Sequence, residues 1–280
     1  MEQVSPHVYV DPADGPNTVC AIQTAEGVIL VDSPHPVSRA LRWAEEVKTL
    51  GEVRYLINTE YHADHIFGNA FLPGTILSHQ HTKDMFWEDS DLGPNFLKDP
   101  KGFTEMFEPE GGHLVAGYRA REPEITFDGR LTLSLGELTV EAFPMPGHVP
   151  ADTAVYVPAD RVLFAGDNVF NDVMTWYHDS LPFAWLETLE RFKAMDVEVV
   201  IPGHGKPAGP EVFDRMKGVV EDAIEAVRPA VESGMSREEA MDRITLIDRQ
   251  PVPDCFRAIA PRIQRLFVGR IYDRILARRP

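Results

Sequence analysis

Asn58-Thr59-Glu60-Tyr61-His62-Ala63-Asp64-His65 is the stretch on which the reading of this chain turns. Directly before it, Val53–Ile57 has the apolar character of a buried strand, and strand ends are where α/β folds expose side chains that do chemistry. A lone surface histidine would carry no information. Here Glu60, His62, Asp64 and His65 fall within six residues of a chain holding 10 histidines in 280. If the segment is extended, alternation puts Glu60, His62 and Asp64 on one side, and His65 joins from the following turn. Donors at this density suit a divalent metal, which needs several nitrogen or oxygen ligands at ~2.0–2.2 Å, with a position left open for catalysis. Two ions can share such a cluster, so further ligands have to arrive from elsewhere.

They come at three loops, each after a predicted strand: Pro146-Gly147-His148, Ala165-Gly166-Asp167 and Pro202-Gly203-His204-Gly205. In each, a glycine precedes the ligand, as expected where backbone turns tightly beside a metal. Around these points the chain reads as short strands (His7–Val10, Asn17–Thr24, Gly27–Asp32) forming a meander. A helix follows, carried by Val37, Ala40, Leu41, Ala44 and Val47, and then the strand before Glu60. From Ile125 a second block of strands runs to Asp167, joined by hairpin turns. It too is followed by a helix, Leu181–Met195, and a short strand, Glu198–Ile201. The segment 81–122 mixes Gly and Pro with Phe86, Trp87, Phe96, Phe103, Phe107 and Tyr118, and reads as an irregular, partly helical insertion. Its aromatics either pack it onto the core or wall an apolar substrate pocket. After Pro210 the pattern is helical, with a capping box at Ser236 and Glu239. The run Cys255 to Leu276 carries Arg257, Arg262, Arg265, Arg270 and Arg274, a solvated cationic face or, alternatively, a subunit contact or anion-binding edge.

Composition narrows the function. The 44% hydrophobic and 25% charged content is that of a globular protein. A formal net charge of −17 repels a phosphate backbone, so nucleic acid is not an expected partner. No apolar run approaches the ~20 residues of a membrane span, and the first residues lack a secretory signal's pattern, which makes the cytoplasm the expected location and a membrane an unexpected partner. Cys20 and Cys255 make neither a disulfide framework nor a CxxC site and are expected as reduced core residues. One domain over 1–280 is expected, with a core at about 4–209 and a helical extension at about 210–280.

The HxHxDH-like cluster followed by separate His, Asp and His ligands, with Asp32 in ILVDSP, the GHVPADT segment and FAGD, resembles the metallo-β-lactamase superfamily over about Val4 to Gly205. The resemblance implies an α/β fold, the four-layer αβ/βα sandwich, with the C-terminal helices packed outside or forming a homodimer contact. Matched by position, Glu60, His62 and His148 would hold one metal, and Asp64, His65 and His204 the other. Asp167 and a water or hydroxide would bridge them, and Asp32 would support the histidines from behind.

One departure is chemical. Glu60 stands where the superfamily usually has its first histidine. Glu60, Asp64, Asp167 and a bridging hydroxide sum to −4 and cancel two divalent cations, so the site is harder than usual and tilts from zinc toward iron or manganese. Zinc and iron stay level as expectations. The implied reaction is hydrolysis of an activated acyl carbonyl by the bridging hydroxide, with Asp64 or a metal-bound water handling the proton and no serine nucleophile, since GxSxG is absent. His178, in Trp176-Tyr177-His178-Asp179, is the candidate for a substrate contact or oxyanion donor. The expected substrate is a small acyl compound, a CoA-type thioester or an ester with a bulky apolar acyl group. A β-lactam or lactone hydrolase, an iron oxidoreductase such as a sulfur dioxygenase, and a non-catalytic metal-binding scaffold are the alternatives.

Overall fold

The structure is a computed structural model, and it describes residues 1–11, 17–89, 94–253 and 256–278. Cys255 and the Asp-Gly turn at 14–15 lie outside the described residues, while Cys20 is buried and free.

Two sheets carry the fold. The first runs in sequence order through β1 (Glu2–Gln3), β2 (Val8–Val10), β3 (Cys20–Thr24), β4 (Gly27–Val31), β5 (Val53–Asn58), β6 (Thr75–His79) and β7 (Ile125–Phe127). Its opening strands form the expected antiparallel meander, and from β4 onward the neighbours are parallel. The second has the order β12 (Val199–Gly205), β11 (Val162–Asn171), β10 (Thr153–Val157), β9 (Leu138–Pro144), β8 (Leu131–Leu135). Only its β11–β12 pair is parallel. Strands buried on both faces are continuous apolar runs, as Gly27–Val31 shows.

The inner faces meet in a core that includes Ile22, Ile29 and Ile57 of the first sheet and Val140, Val155 and Phe164 of the second. Helix α1 (Val37–Val47) covers the first sheet's outer face through Trp43, Ala44 and Val47. On the far side lie α5 (Pro182–Lys193), α6 (Val212–Glu232), α7 (Arg237–Arg243) and α8 (Ala260–Leu276). The layers are helix, sheet, sheet, helix: the αβ/βα sandwich, with extra C-terminal helices. Two of these helix starts are locally specified. Pro182 sits in the first turn of α5, and α7 opens with the Ser236–Glu239 capping box.

Two expectations change. The segment after His62 is not extended: it turns into α2 (Ala63–Ile66), with His62 as its extended N-terminal flank. Asp64 therefore reaches the cluster from a helical turn rather than by strand alternation. The arginines of the last segment are not uniformly solvated either. Arg270 donates to the carbonyls of Ser180 and Asp179 at 2.9 and 2.7 Å, anchoring the loop beside His178. Arg265 pairs with Asp242. The insertion is short pieces, α3 (Gln80–Met85), α4 (Pro100–Phe107) and two 3₁₀ turns, packed on Ile66 and Phe67.

Candidate metal centre

Loops from both sheets converge over the C-terminal ends of β5, β11 and β12. Strand β5 delivers Glu60, the β9–β10 connection His148, β11 itself Asp167, and the end of β12 His204. The backbone permits this closeness only because of glycine. A Cβ on Gly203 would stand 1.9 Å from Asp167 Oδ1, and Gly166, at φ +55°, would meet Asp152 Oδ1 at 2.4 Å.

All seven residues expected as metal ligands come together, in two groups. Glu60, His62, His148 and Asp167 form one and Asp64, His65 and His204 the other; within each, ligand atoms lie within 4.8 Å of one another. Glu60 Oε1 is 2.7 Å from His62 Nδ1 and 4.0 Å from His148 Nε2, and His148 Nε2 is 3.1 Å from His62 Nδ1. His204 Nε2 is 3.3 Å from Asp64 Oδ2, and His65 Nε2 is 3.7 Å from the same oxygen. Asp167 stands between the groups. Its Oδ1 is 3.1 Å from His65 Nε2, and its Oδ2 is 3.1 Å from His204 Nε2 and 3.5 Å from His148 Nε2.

The cluster passes a test of fit for divalent metals. Glu60 Oε1, His65 Nε2 and Asp167 Oδ1 are buried and, although polar atoms stand 2.7–3.1 Å away, none of the three makes a well-aligned hydrogen bond, an arrangement that costs free energy unless something else satisfies them. Donors ~2.1 Å from a shared ion lie roughly 3 to 3.5 Å apart, close to the spacings found.

Behind the cluster a second set of groups fixes orientation. Asp32 accepts from Thr59 N and Oγ1 at 2.8 and 2.7 Å and stands 2.9 Å from His65 Nδ1. His148 Nδ1 is 3.0 Å from the Trp176 carbonyl. His62 Nε2 is 3.1 Å from Asp179 Oδ2, which also accepts from Tyr61 Oη at 3.0 Å. Burial pushes the Glu60 carboxyl up, against the pull of His62 and His65. Burial acts on Asp167 in the same direction, but His204 and His65 outweigh it and hold that carboxyl well below the usual range. Burial, with Asp167 and Glu60 nearby, holds Asp152 well above it, and both its oxygens lack a partner.

His178 is 4% exposed and its ring lies 4.5 Å from that of His62. Neither ring nitrogen has a hydrogen-bond partner. Burial, reinforced by His62, lowers it to about 3, so it is a neutral imidazole. Three further histidines stand apart: His79 Nε2 faces the Asp128 carbonyl, His113 Nδ1 faces that of Glu110, and His81 packs edge-on to Tyr61. Sequence reasoning missed Asp179 and Asp152. Their signals were adjacency to His178 and a place in GHVPADT, neither of which assigns a partner.

Above the cluster opens a cavity of about 1340 Å³ whose floor includes His62, His148, Asp167 and His204. Two sheets closed by helices, with a carboxylate–histidine cluster at their shared edge, define a metallo-hydrolase type of fold. The chain belongs to the metallo-β-lactamase superfamily, whose family model matches residues 13–204. It is 22% identical over 262 residues to a linear primary-alkylsulfatase of a Pseudomonas species, covering 80% of this chain and 49% of that protein. It is 31% identical over 111 residues to a metallo-β-lactamase type 2 of Bacteroides fragilis, covering 37% and 44%. The chain thus spans about half the length of these curated relatives. A solved metallo-β-lactamase from Pontibacter korlensis superposes with a TM-score of 0.57 at 18% identity, covering 79% of this chain and 97% of that one.

Proposed function

We propose that the chain is a metal-dependent hydrolase that cleaves an activated acyl bond, a thioester or ester carrying a bulky apolar acyl group. The observation that carries this is Asp167, whose Oδ2 stands between His148 of one ligand group and His204 of the other while its Oδ1 faces His65, in a buried cluster that opens into a largely apolar cavity.

Glu60, His62 and His148 would hold one divalent metal and Asp64, His65 and His204 a second, with Asp167 shared. Zinc or iron are the leading candidates, with manganese open to the same oxygen-rich set. Bound there, such ions make hydroxide available near neutral pH and polarise a carbonyl. The chain's own residues then position and protonate. Asp32 and Asp179 keep the His65 and His62 rings from turning. Asp64, half-buried at the cavity floor, is placed to hold a proton between attack and departure of the leaving group. His178, neutral and unpartnered, is placed to donate to a substrate oxygen. The alkylsulfatase resemblance supports an apolar chain beside the reacting bond; a β-lactam or lactone is the nearest alternative within the same chemistry.

Elemental analysis of protein purified without added metal, paired with a hydrolysis screen over thioesters, esters, lactones and a β-lactam, tests the proposal. About two metals per chain and turnover lost in Asp167→Ala support it. Well under one metal per chain after loading with iron, manganese or zinc overturns it.

A further inference from the structure

The walls of the cavity differ in kind. One is a continuous chain of aromatic rings assembled from three distant parts of the sequence. Phe96 stacks on Phe103 at 4.5 Å, and Phe103 meets Phe107 edge-on at 5.6 Å. Phe107 reaches across to Phe256 at 6.2 Å, and Phe256 packs on Trp176 at 5.1 Å. Trp176 in turn lies 5.8 Å from His178. The wall therefore runs from the insertion, over the C-terminal segment, to the side of the metal ligands. Ile263 extends it inward, and at the mouth Met106 and Ile259 remain 47% and 44% exposed.

Charge around the same cavity is lopsided. Away from the ligand cluster, Glu2, Asp11, Glu88, Asp89 and Asp172 line it against Lys206 and Arg262. On a chain of net charge −17, a phosphate- or sulfate-bearing group would approach against the field and find little to replace its hydration. Phe256, Ile259 and Ile263 lie beyond residue 204, where the family match ends, so the segment after the match completes a wall that the insertion and Trp176 begin.

Resting on the hydrolase reading above, we infer that the space between the insertion and the C-terminal segment is the acyl subsite, and that the substrate is an ester or thioester of a long or aromatic acyl group with an uncharged leaving group. Water's oxygen bonds to the acyl carbon, the C–O or C–S bond breaks, and the leaving group departs with a proton from that water, giving a carboxylic acid and a neutral alcohol or thiol.

The test compares N-acetylcysteamine thioesters with CoA thioesters of the same acyl groups, from acetyl to decanoyl, on the metal-loaded protein. Expected is a kcat/KM that climbs by up to roughly fourfold per methylene, from ~0.8 kcal/mol of burial each, and favours the uncharged thioester, with the gap narrowing as salt is added. Phe107→Ala and Phe256→Ala should flatten the chain-length slope. Binding of 2-pentanone and 2-undecanone to metal-depleted protein, followed by tryptophan fluorescence, gives a readout independent of turnover, and the longer ketone should bind tighter. Hydrolysis with a flat slope, or preference for CoA at low salt, overturns the inference alone. No hydrolysis of any ester or thioester, with ketone binding that still rises with length, overturns the reaction and leaves the apolar subsite; ketones that bind equally or not at all remove the subsite.

Discussion

Glu60 puts a further carboxylate in a cluster that already contains Asp64 and Asp167, and this extra negative charge is what a harder cation would reward. Glu60→His should therefore move metal selectivity toward zinc, read as the Zn:Fe ratio after loading with equal zinc and ferrous iron under anaerobic conditions; an unchanged ratio would show that Glu60 does not set the preference. Asp32 tests the outer groups. Replacing it with Ala removes the acceptor of Thr59 N and the partner of His65 Nδ1, and metal affinity measured by competition with a chelator should fall about 10–100-fold. His35 makes a prediction about pH. Its ring lies 4.4 Å from that of Phe103 and 4.5 Å from that of Phe107, with both nitrogens buried and unpartnered. Burial, opposed by Asp64 and aided by Arg39, lowers it from 6.5 to about 4. The unfolded chain takes up this proton below 6.5 and the folded one only near 4, so the group costs nothing above 6.5. Between those values stability should fall as pH drops, by up to roughly 3 kcal/mol. Urea unfolding at pH 7 and pH 4.5 should show a smaller loss in His35→Leu than in the parent. The candidate ligand cluster was legible because metal chemistry restricts residue type; the surroundings of His35 were not, because nothing in His-Pro tells an observer which rings will surround it.

Connections between elements decide whether those side chains meet. The three Gly-ligand loops could be read from sequence because a left-handed or crowded backbone needs glycine, and Gly203 is the sharpest case. Gly203→Ala would place a methyl 1.9 Å from Asp167 Oδ1, so it should displace the shared carboxylate and reduce metal content more than it lowers the melting temperature. A melting temperature that collapses with metal content intact would contradict this. Helix α2 escaped the sequence reading because four residues are too few to show a period, and alternation was the simpler rule for Glu60, His62 and Asp64. The insertion was legible as irregular and partly helical, but its individual helices were not, because they are short and held by local caps, such as Asp99 accepting from Gly102 N at 3.0 Å. The role of Arg270 could not be read at all, since an arginine on a helix face looks the same whether it meets water or the carbonyls of Asp179 and Ser180.

Assembly of the molecule draws the candidate ligands from both sheets: Glu60 follows β5 of the first, while Asp167 and His204 sit on β11 and β12 of the second. The strand periods and the sequence's twofold order of strands, helix and strand made the layers legible. Pairing order and register depend on long-range contacts and were not, and neither was the return of the C-terminal segment over the cavity. A metal held by ligands from both sheets binds the folded chain and has no comparable site in the unfolded one, so its binding free energy adds to stability. At a free metal concentration 100 times the dissociation constant the gain is about 2.7 kcal/mol per site, worth several degrees in a chain of this length. Thermal unfolding should therefore shift down on exhaustive chelation and rise with free metal concentration, and Asp167→Ala should abolish most of the concentration dependence while Lys48→Ala, on the far side of the first sheet, keeps it. A melting temperature indifferent to metal in the parent chain would mean that the two sheets hold these residues together without any ion, with the carboxylates of Glu60 and Asp167 balanced by His62, His65 and His204 alone.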